Sequence, residues 1–291
     1  MREARARVVV IGADGQLGAD LMLILGKRFE VVGFTQADFD VTDGLACGRA
    51  IGEAKPAFVI NTAAMHNVPD CERDPEKCFS VNAAGAYFVA KAAADAGAGI
   101  VFISTDYVFG GEKRSYAEDD RPHPLNVYGA SKLAGESLTA IANANHYIVR
   151  TCGLFGIHPS KKGHTFVTKM LLLAREGKDI SVVNDQFVAP TFTEDLAEKI
   201  GEMIERHVAP GVYHVVNSGG GLSWYEFAKE IFATAGVSPN LKPTSTAGHS
   251  DGIARPKATV LEMHALARAG LAAPRPLSDA LRAYIGKLDG E

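Results

Sequence analysis

The sequence predicts an α/β fold: a doubly wound parallel sheet with a smaller C-terminal lobe. Three observations carry this. Short apolar, β-branched runs alternate with stretches of helical spacing through the first half of the chain. The runs are apolar at nearly every position, as strands covered on both faces are. Strand, helix, strand repeated this way implies right-handed crossovers and parallel pairing. At 291 residues, 47% hydrophobic and 22% charged, the chain is long and apolar enough for a sizeable core.

Residues 8–11 read as the first strand, and Leu17, Leu21 and Leu25 give 15–26 the spacing of a helix. A second strand at 31–34, a helix at 45–54 and a third strand at Phe58–Asn61 follow. Pro75 opens a helical stretch to about residue 96. Residues 100–104 form the fourth strand, 125–144 a helix and 147–151 the fifth strand. After Thr151 the rhythm changes. Residues 153–163 are loop-like, 166–176 helical and 180–184 extended. Thr193–Glu205 is an amphipathic helix with Thr193 as its N-cap, 212–216 a strand, and 223–235 a helix with Ser223 and Glu226 as a capping box. The polar, Pro/Gly-containing stretch 240–256 reads as a loop. Residues 1–151, with 193–217 completing the sheet, are the expected first domain; 152–192 and 218–291 form the second lobe.

Thirty basic residues against 34 acidic give a net charge of −4 and a pI near 6.2. That balance advertises neither nucleic acid nor an anionic membrane as partner. The apolar run 21–25 is too short to span a bilayer, and Lys91 and Asp95 interrupt 89–103. Residues 1–7 hold three Arg and no apolar stretch of a secretory signal. Cys47, Cys71, Cys78 and Cys152 form no CxxC pair, so reduced thiols and a cytoplasmic protein are expected. Nine His make no HExxH and no zinc-spaced cluster, so no metal is expected.

The first strand runs into GADGQLG, residues 12–18. Gly12 allows a tight turn, Gly15 lets backbone approach a pyrophosphate, and Gly18 lets the helix pack on the strand; Asp14, Gln16 and Leu17 lie between them. The helix N-terminus offers free N–H groups to phosphate. This is a Rossmann-type dinucleotide loop in the position its mechanism needs. The second strand ends in Phe34-Thr35-Gln36, with no acid at its tip to repel a 2′-phosphate. NADPH is therefore the expected cofactor, with NADH possible because Asp38 and Asp40 follow.

The fourth strand ends in STDYVFG, 104–110, and LNVYGASKLAGE, 125–136, opens the next helix. Tyr128 and Lys132, four apart, share a helix face. An ammonium beside a phenol lowers the phenol's pKa, which suits Tyr128 to general acid/base work. The Thr105 hydroxyl binds the same carbonyl oxygen. Two other YxxxK pairs, Tyr87/Lys91 and Tyr225/Lys229, lack a preceding strand that ends in a Ser/Thr pair. Order along the chain, not the string, selects Tyr128.

GADGQLG, STDYVFG, PLNVYGASKLAGE, RTCGLFG and DQFVAPTFTEDLA together resemble an extended short-chain dehydrogenase/reductase, in the branch of the dTDP-4-dehydrorhamnose reductase family. The resemblance covers most of 7–217, and RPKATVL, 255–261, is similar to a late family segment. It implies a catalytic triad of Thr105, Tyr128 and Lys132, with Lys132 also on the nicotinamide ribose. It implies Asp40 and Val41 at the adenine, and Ala63 and Ala64 along the cofactor. Asp106, Asn126, the loop holding Gly153, Asp185 and Gln186 fall on the nucleotide-sugar side. The implied partner is a nucleotide-sugar, with a homodimer as an open expectation. Three positions depart from the family pattern: Gly153 replaces a usual Trp, Met65-His66 a frequent Tyr-Thr, and Val188 a Gly. Met65 and Val188 are expected to refill space left by Gly153.

Other residues have plainer readings. His158 and His164 read as surface residues, Glu118-Asp119-Asp120 as a solvated acidic run, and Trp224 as core. Lys161-Lys162 is either a diphosphate contact or a solvated pair, and Cys152 has no His partner for a nucleophilic role. The leading function is NAD(P)H-dependent reduction of a keto group on a nucleotide-activated deoxysugar. A non-catalytic NADP-binding regulatory subunit, resembling the beta subunit of methionine adenosyltransferase, is the alternative from another class. A nucleotide-sugar epimerase or dehydratase is the third; Tyr107 after Asp106, where dehydratases usually carry Glu, weighs against dehydration.

Overall fold

The structure is a computed structural model and describes residues 5–158, 163–248 and 251–288. Lys161 and Lys162 lie outside the described residues. Six strands form the main sheet: β1 (Arg7–Ile11), β2 (Glu30–Phe34), β3 (Phe58–Asn61), β4 (Gly99–Thr105), β5 (His146–Thr151) and β6 (Gly211–His214). Every pairing is parallel, in the order β6-β5-β4-β3-β1-β2. The order reverses beside β1, so the carboxyl ends of β1 and β3 flank a switch-point crevice. Val8, Val9 and Val10 are all fully buried, which requires helices on both faces.

On one face, α1 (Gln16–Leu25) and α8 (Thr193–Glu205) pack Leu17, Leu21, Leu196 and Ile200 against the sheet. On the other, α2 (Gly44–Ala54) and α5 (Ala86–Asp95) contribute Cys47, Ile51, Val89 and Ala93. Each full burial of such a side chain contributes about 1.5–3 kcal/mol. A second core cluster lies where α7 (Phe166–Arg175), α9 (Trp224–Thr234) and α11 (Leu277–Leu288) enclose Phe155, Phe192, Phe227 and Tyr284. The Phe155 and Phe192 rings stack at 5.5 Å.

Several local expectations change. The helical stretch from Pro75 is three pieces: α4 (Pro75–Phe79), a π-helical turn at Ser80–Gly85, and α5. A short helix, α3 (Val68–Arg73), precedes it. Thr193 is the first residue of α8 rather than its cap; Phe192 is the cap, and the Thr193 hydroxyl donates instead to the Phe155 carbonyl at 3.2 Å. Within the expected loop 240–256, Leu241–Thr244 is a strand paired with Ile180–Val183. The Ser223/Glu226 capping box forms in both directions. Among the described residues, no helix is long and apolar enough to cross a membrane.

Candidate active site

The glycine loop has the geometry its spacing predicts. Gly12 sits at φ +82°, where a Cβ would lie 2.6 Å from Thr62 Oγ1. A Cβ on Gly18 would lie 2.0 Å from the Gly12 carbonyl oxygen, so any side chain there forces α1 off β1. Gly15 is the N-cap of α1, with no side-chain cap and no acid in the first turn. The N–H groups of that turn are thus left for an anion, and the cradle fits a pyrophosphate. Leu17 turns its side chain into the core, Gln16 Nε2 reaches the Gly156 carbonyl at 3.5 Å, and Asp14 is exposed.

The tip of β2 differs from its linear reading. Asp38 folds back so that its carboxylate accepts the Thr35 N–H at 2.7 Å and the Thr35 hydroxyl at 2.9 Å. These bonds hold its carboxyl below the usual range. An acid therefore does stand at the strand tip, supplied from three residues downstream. Asp40 caps Thr42 at 2.9 Å, and the Val41 side chain is buried between α2 and α5. Ala63 and Ala64 follow β3 half-buried, with the Ala63 N–H held by Asn61 Oδ1 at 3.0 Å.

At the carboxyl end of β4, the Thr105 hydroxyl donates to Asp106 Oδ1 at 3.1 Å and accepts the Tyr107 N–H at 3.2 Å. The Tyr107 ring in turn meets the Tyr128 ring edge-on, with centres 5.9 Å apart. Tyr128 and Lys132 lie on the first turns of α6 (Val127–Ala142), which Asn126 caps through the Gly129 N–H at 2.9 Å. Lys132 is buried; its Nζ donates to the Ile103 carbonyl at 2.6 Å and lies 3.9 Å from the Phe102 ring centre. Burial brings its pKa down to about 7 against the opposing pull of Glu136. The expected lowering of Tyr128 is corrected here. Burial pushes the phenol up, and Asp106 adds to the rise, because the Lys132 ammonium is turned towards Ile103 and costly to charge in this site. Tyr128 therefore holds its proton at neutral pH.

One turn beyond Lys132, Glu136 is clamped by Arg150, with Nε–Oε1 at 2.9 Å and Nη2–Oε2 at 2.7 Å; Ser104 donates to the same carboxylate at 2.5 Å. This buried cluster ties β5 to β4 and α6, the two elements that carry the triad.

The residues expected on the sugar side are mostly occupied by protein. Asp106 is buried and accepts from Thr105, from the Cys152 thiol at 3.1 Å and from Thr259. Burial raises its carboxyl, with Thr259 the largest opposing influence. Asn126 Nδ2 donates to the Ala254 carbonyl at 3.0 Å. Asp185 accepts from Thr246, backbone and side chain, and Gln186 donates to the same hydroxyl at 3.2 Å. Gly153 lies at φ +54° just past β5. Val188 is buried in a cluster with Val108, Phe109 and Cys152, against which Trp224 packs. Trp224, expected in the core, is only half-buried.

Sequence reasoning missed Asn82 and Thr259. Asn82, inside the π-helical turn, clasps Met65 through its N–H (2.8 Å) and carbonyl (2.9 Å), and donates to Ser131 Oγ at 2.9 Å. A buried Asn in an Ala-rich helical stretch was the available signal. The four cysteines are free and buried. Cys152 is pushed well up by burial beside Asp106, which suits no nucleophile. The other two YxxxK pairs make surface contacts: Lys91 pairs with Asp95, and Lys229 lies 6.0 Å from its own Tyr225 ring.

Comparison with known proteins agrees with this architecture. The family model described as the RmlD substrate binding domain matches residues 6–289. The spore coat polysaccharide biosynthesis protein SpsK of Bacillus subtilis is 37% identical over 281 residues, 96% of each chain. The dTDP-4-dehydrorhamnose reductase of Streptomyces griseus is 37% identical over 275 residues, 92% of this chain and 89% of that one. The crystal structure of dTDP-4-dehydrorhamnose reductase from Bacillus anthracis in complex with NADP superposes with a TM-score of 0.92 at 35% identity, covering 97% of this chain and 99% of that one. With a Rossmann-type sheet, the glycine loop and this match along nearly its whole length, the chain belongs to the dTDP-4-dehydrorhamnose reductase family of extended short-chain dehydrogenase/reductases.

Proposed function

We propose that this protein reduces the keto group of a dTDP-linked 4-keto-6-deoxyhexose, with NADPH as the preferred reductant and NADH accepted. The observation that carries the reading is the placement of Thr105 at the carboxyl end of β4 beside the start of α6, where Tyr128 stands edge-on to Tyr107 and Lys132 follows one turn on. The first turn of α1 would hold the pyrophosphate, and Ala63 and Ala64 would border the nicotinamide half. When bound, the dinucleotide supplies hydride to the carbonyl carbon. Thr105 orients the carbonyl oxygen, and Tyr128, kept protonated by burial, delivers the proton to it. With the dinucleotide bound, Lys132 would leave the Ile103 carbonyl to meet the ribose and stabilise the phenolate left behind. Asp106, held by three donors, fixes Thr105 rather than binding sugar itself.

On this reading the enzyme works in the cytoplasm on a soluble nucleotide-sugar, without nucleic acid, membrane or metal, and a homodimer is the assembly to test by light scattering. The function is tested by following NADPH oxidation across a panel of nucleotide-linked keto-sugars. Tyr128→Phe keeps the ring packing and should lower turnover by roughly 10²–10⁴-fold with NADPH binding intact. Unchanged turnover in that variant would remove Tyr128 from the chemistry. Tight NADPH binding without turnover of any sugar would favour the regulatory-subunit alternative.

A further inference from the structure

We propose that Cys71 and Cys78 are a redox pair that peroxide closes reversibly to a disulfide, disturbing the site from behind. The effect on turnover rests on the reductase reading above; formation of the bond does not. Cys71 lies on α3 and Cys78 on α4, and Asp74 ends the one helix and caps the other. Their thiols enter one buried cluster. Cys71 Sγ donates to the Met65 carbonyl at 3.3 Å. Asn82 Nδ2 donates to that same carbonyl at 2.9 Å and to Cys78 Sγ at 3.4 Å. Each thiol is the largest single influence on the other's ionisation, raising Cys71 and lowering Cys78. Ser131, Asn82 and the Lys132 charge also favour the Cys78 thiolate, against the cost of burial. Cys78 is thus the attacking sulfur and Cys71 the resolving one.

The cluster touches both halves of the site. Cys78 Sγ is hydrogen-bonded to Ser131 Oγ at 3.2 Å, and Ser131 Oγ donates to the Tyr128 carbonyl at 2.8 Å. Ser131 stands between Tyr128 and Lys132 on α6, and Met65 directly follows Ala63 and Ala64. In the reaction the Cys78 thiolate attacks one oxygen of hydrogen peroxide, breaking the O–O bond to give a sulfenic acid and hydroxide. Cys71 sulfur then displaces the sulfenic oxygen. The two thiol protons and the two electrons lost by sulfur end in two waters. A bond of about 2.05 Å between the sulfurs draws Cys71 from the Met65 carbonyl and Cys78 from Ser131. The loop after β3 and the first turns of α6 shift with them. Both side chains are fully buried. The oxidant is neutral and close to water in size, and the pair is carried by helices of only six and five residues, which open locally at low cost. Cys47 and Cys152 are buried too, but burial and the neighbouring Asp43 and Asp106 push their thiols up, which makes them internal controls.

The full chain is treated with hydrogen peroxide, its free thiols are counted in denaturant, and any bond is mapped by peptide mass. The parent should fall from four free thiols to two, with Cys71 linked to Cys78 and with Cys47 and Cys152 still free. In step with the bond, keto-sugar turnover should fall roughly 10–100-fold. NADPH should bind more weakly, and dithiothreitol should restore both. Cys71→Ala should leave Cys78 as a sulfenic acid that dimedone traps, and Cys78→Ala should hold its own untreated turnover in peroxide. The inference is overturned if Cys71 and Cys78 stay free, if Cys47 and Cys152 oxidise as fast, or if peroxide also inactivates Cys78→Ala. It is overturned equally by a mapped bond that leaves turnover and NADPH affinity unchanged. A parent that turns over no keto-sugar overturns the reductase reading instead, while the thiol map and the NADPH titration still decide the redox pair.

Discussion

The Glu136–Arg150 cluster gives the sharpest quantitative expectation. Glu136→Gln keeps the shape of the side chain and an acceptor for Ser104, but removes the only full charge that faces Arg150 in the cluster. Both side chains are nearly inaccessible, at 4% for Arg150 and 6% for Glu136. In the variant Arg150 would retain a 3.4 Å contact to the Glu118 carbonyl and the Phe109 ring at 5.1 Å. An uncompensated buried charge costs about 3–5 kcal/mol. For a chain of this size that is a fall in Tm of roughly 5–8 °C. Urea titration at pH 7 measures it directly. The double variant Glu136→Leu/Arg150→Met removes both charges and should recover most of the loss, since an apolar pair of similar volume is often neutral. Glu136 also supports the Lys132 charge, so its loss should carry the Lys132 pKa further below about 7. A Glu136→Gln variant within about 1 kcal/mol of the parent would refute the clamp.

The remaining expectations concern charge at the cofactor and in the triad. Asp38→Asn removes the carboxylate folded onto Thr35 and should shift the ratio of NADPH to NADH affinity several-fold towards NADPH; an unchanged ratio from paired titrations would place Asp38 away from the ribose. Lys132 has a folded pKa of about 7 against an ordinary 10.5, so the unfolded chain binds the extra proton between those values. Its contribution to stability is therefore unfavourable and constant below pH 7. It becomes less unfavourable as pH rises from 7 to 10.5, by up to about 1.4 kcal/mol per pH unit. The stability advantage of Lys132→Met over the parent should shrink across that window; an advantage that stays flat across it would show Lys132 charged in the fold.

What was legible in the sequence was what depends on near neighbours along the chain. The glycines of GADGQLG, the Tyr128/Lys132 spacing and the Ser223/Glu226 box each act within one turn; the glycine turn and the capping box formed, and Tyr128 and Lys132 stand one turn apart on α6. Asp38 was misjudged because a turn, not the strand, carries its carboxylate to the tip of β2. The direction of the Tyr128 shift was misjudged because spacing on a helix says nothing about burial, and here burial outweighs a Lys that faces Ile103. The strand Leu241–Thr244 was invisible because it is polar, largely exposed and holds Pro243, so no apolar alternation marks it. Asn82 and Thr259 act across 17 and 153 residues, distances over which local pattern carries no information.

The Thr259–Asp106 bond has a consequence for the order in which the protein becomes competent. The donor that helps to fix Asp106, and through it Thr105, lies near the end of the chain, as do the Ala265 N–H held by Glu118 and the Glu262 carboxylate bonded to Ser115. The sheet from β1 to β5 can assemble while the residues beyond Thr151 are still being added. The catalytic end cannot: its pocket closes only when the last segment returns across the molecule. In refolding, secondary structure and cofactor affinity should therefore recover before turnover does, separated by the slow closure of that long loop.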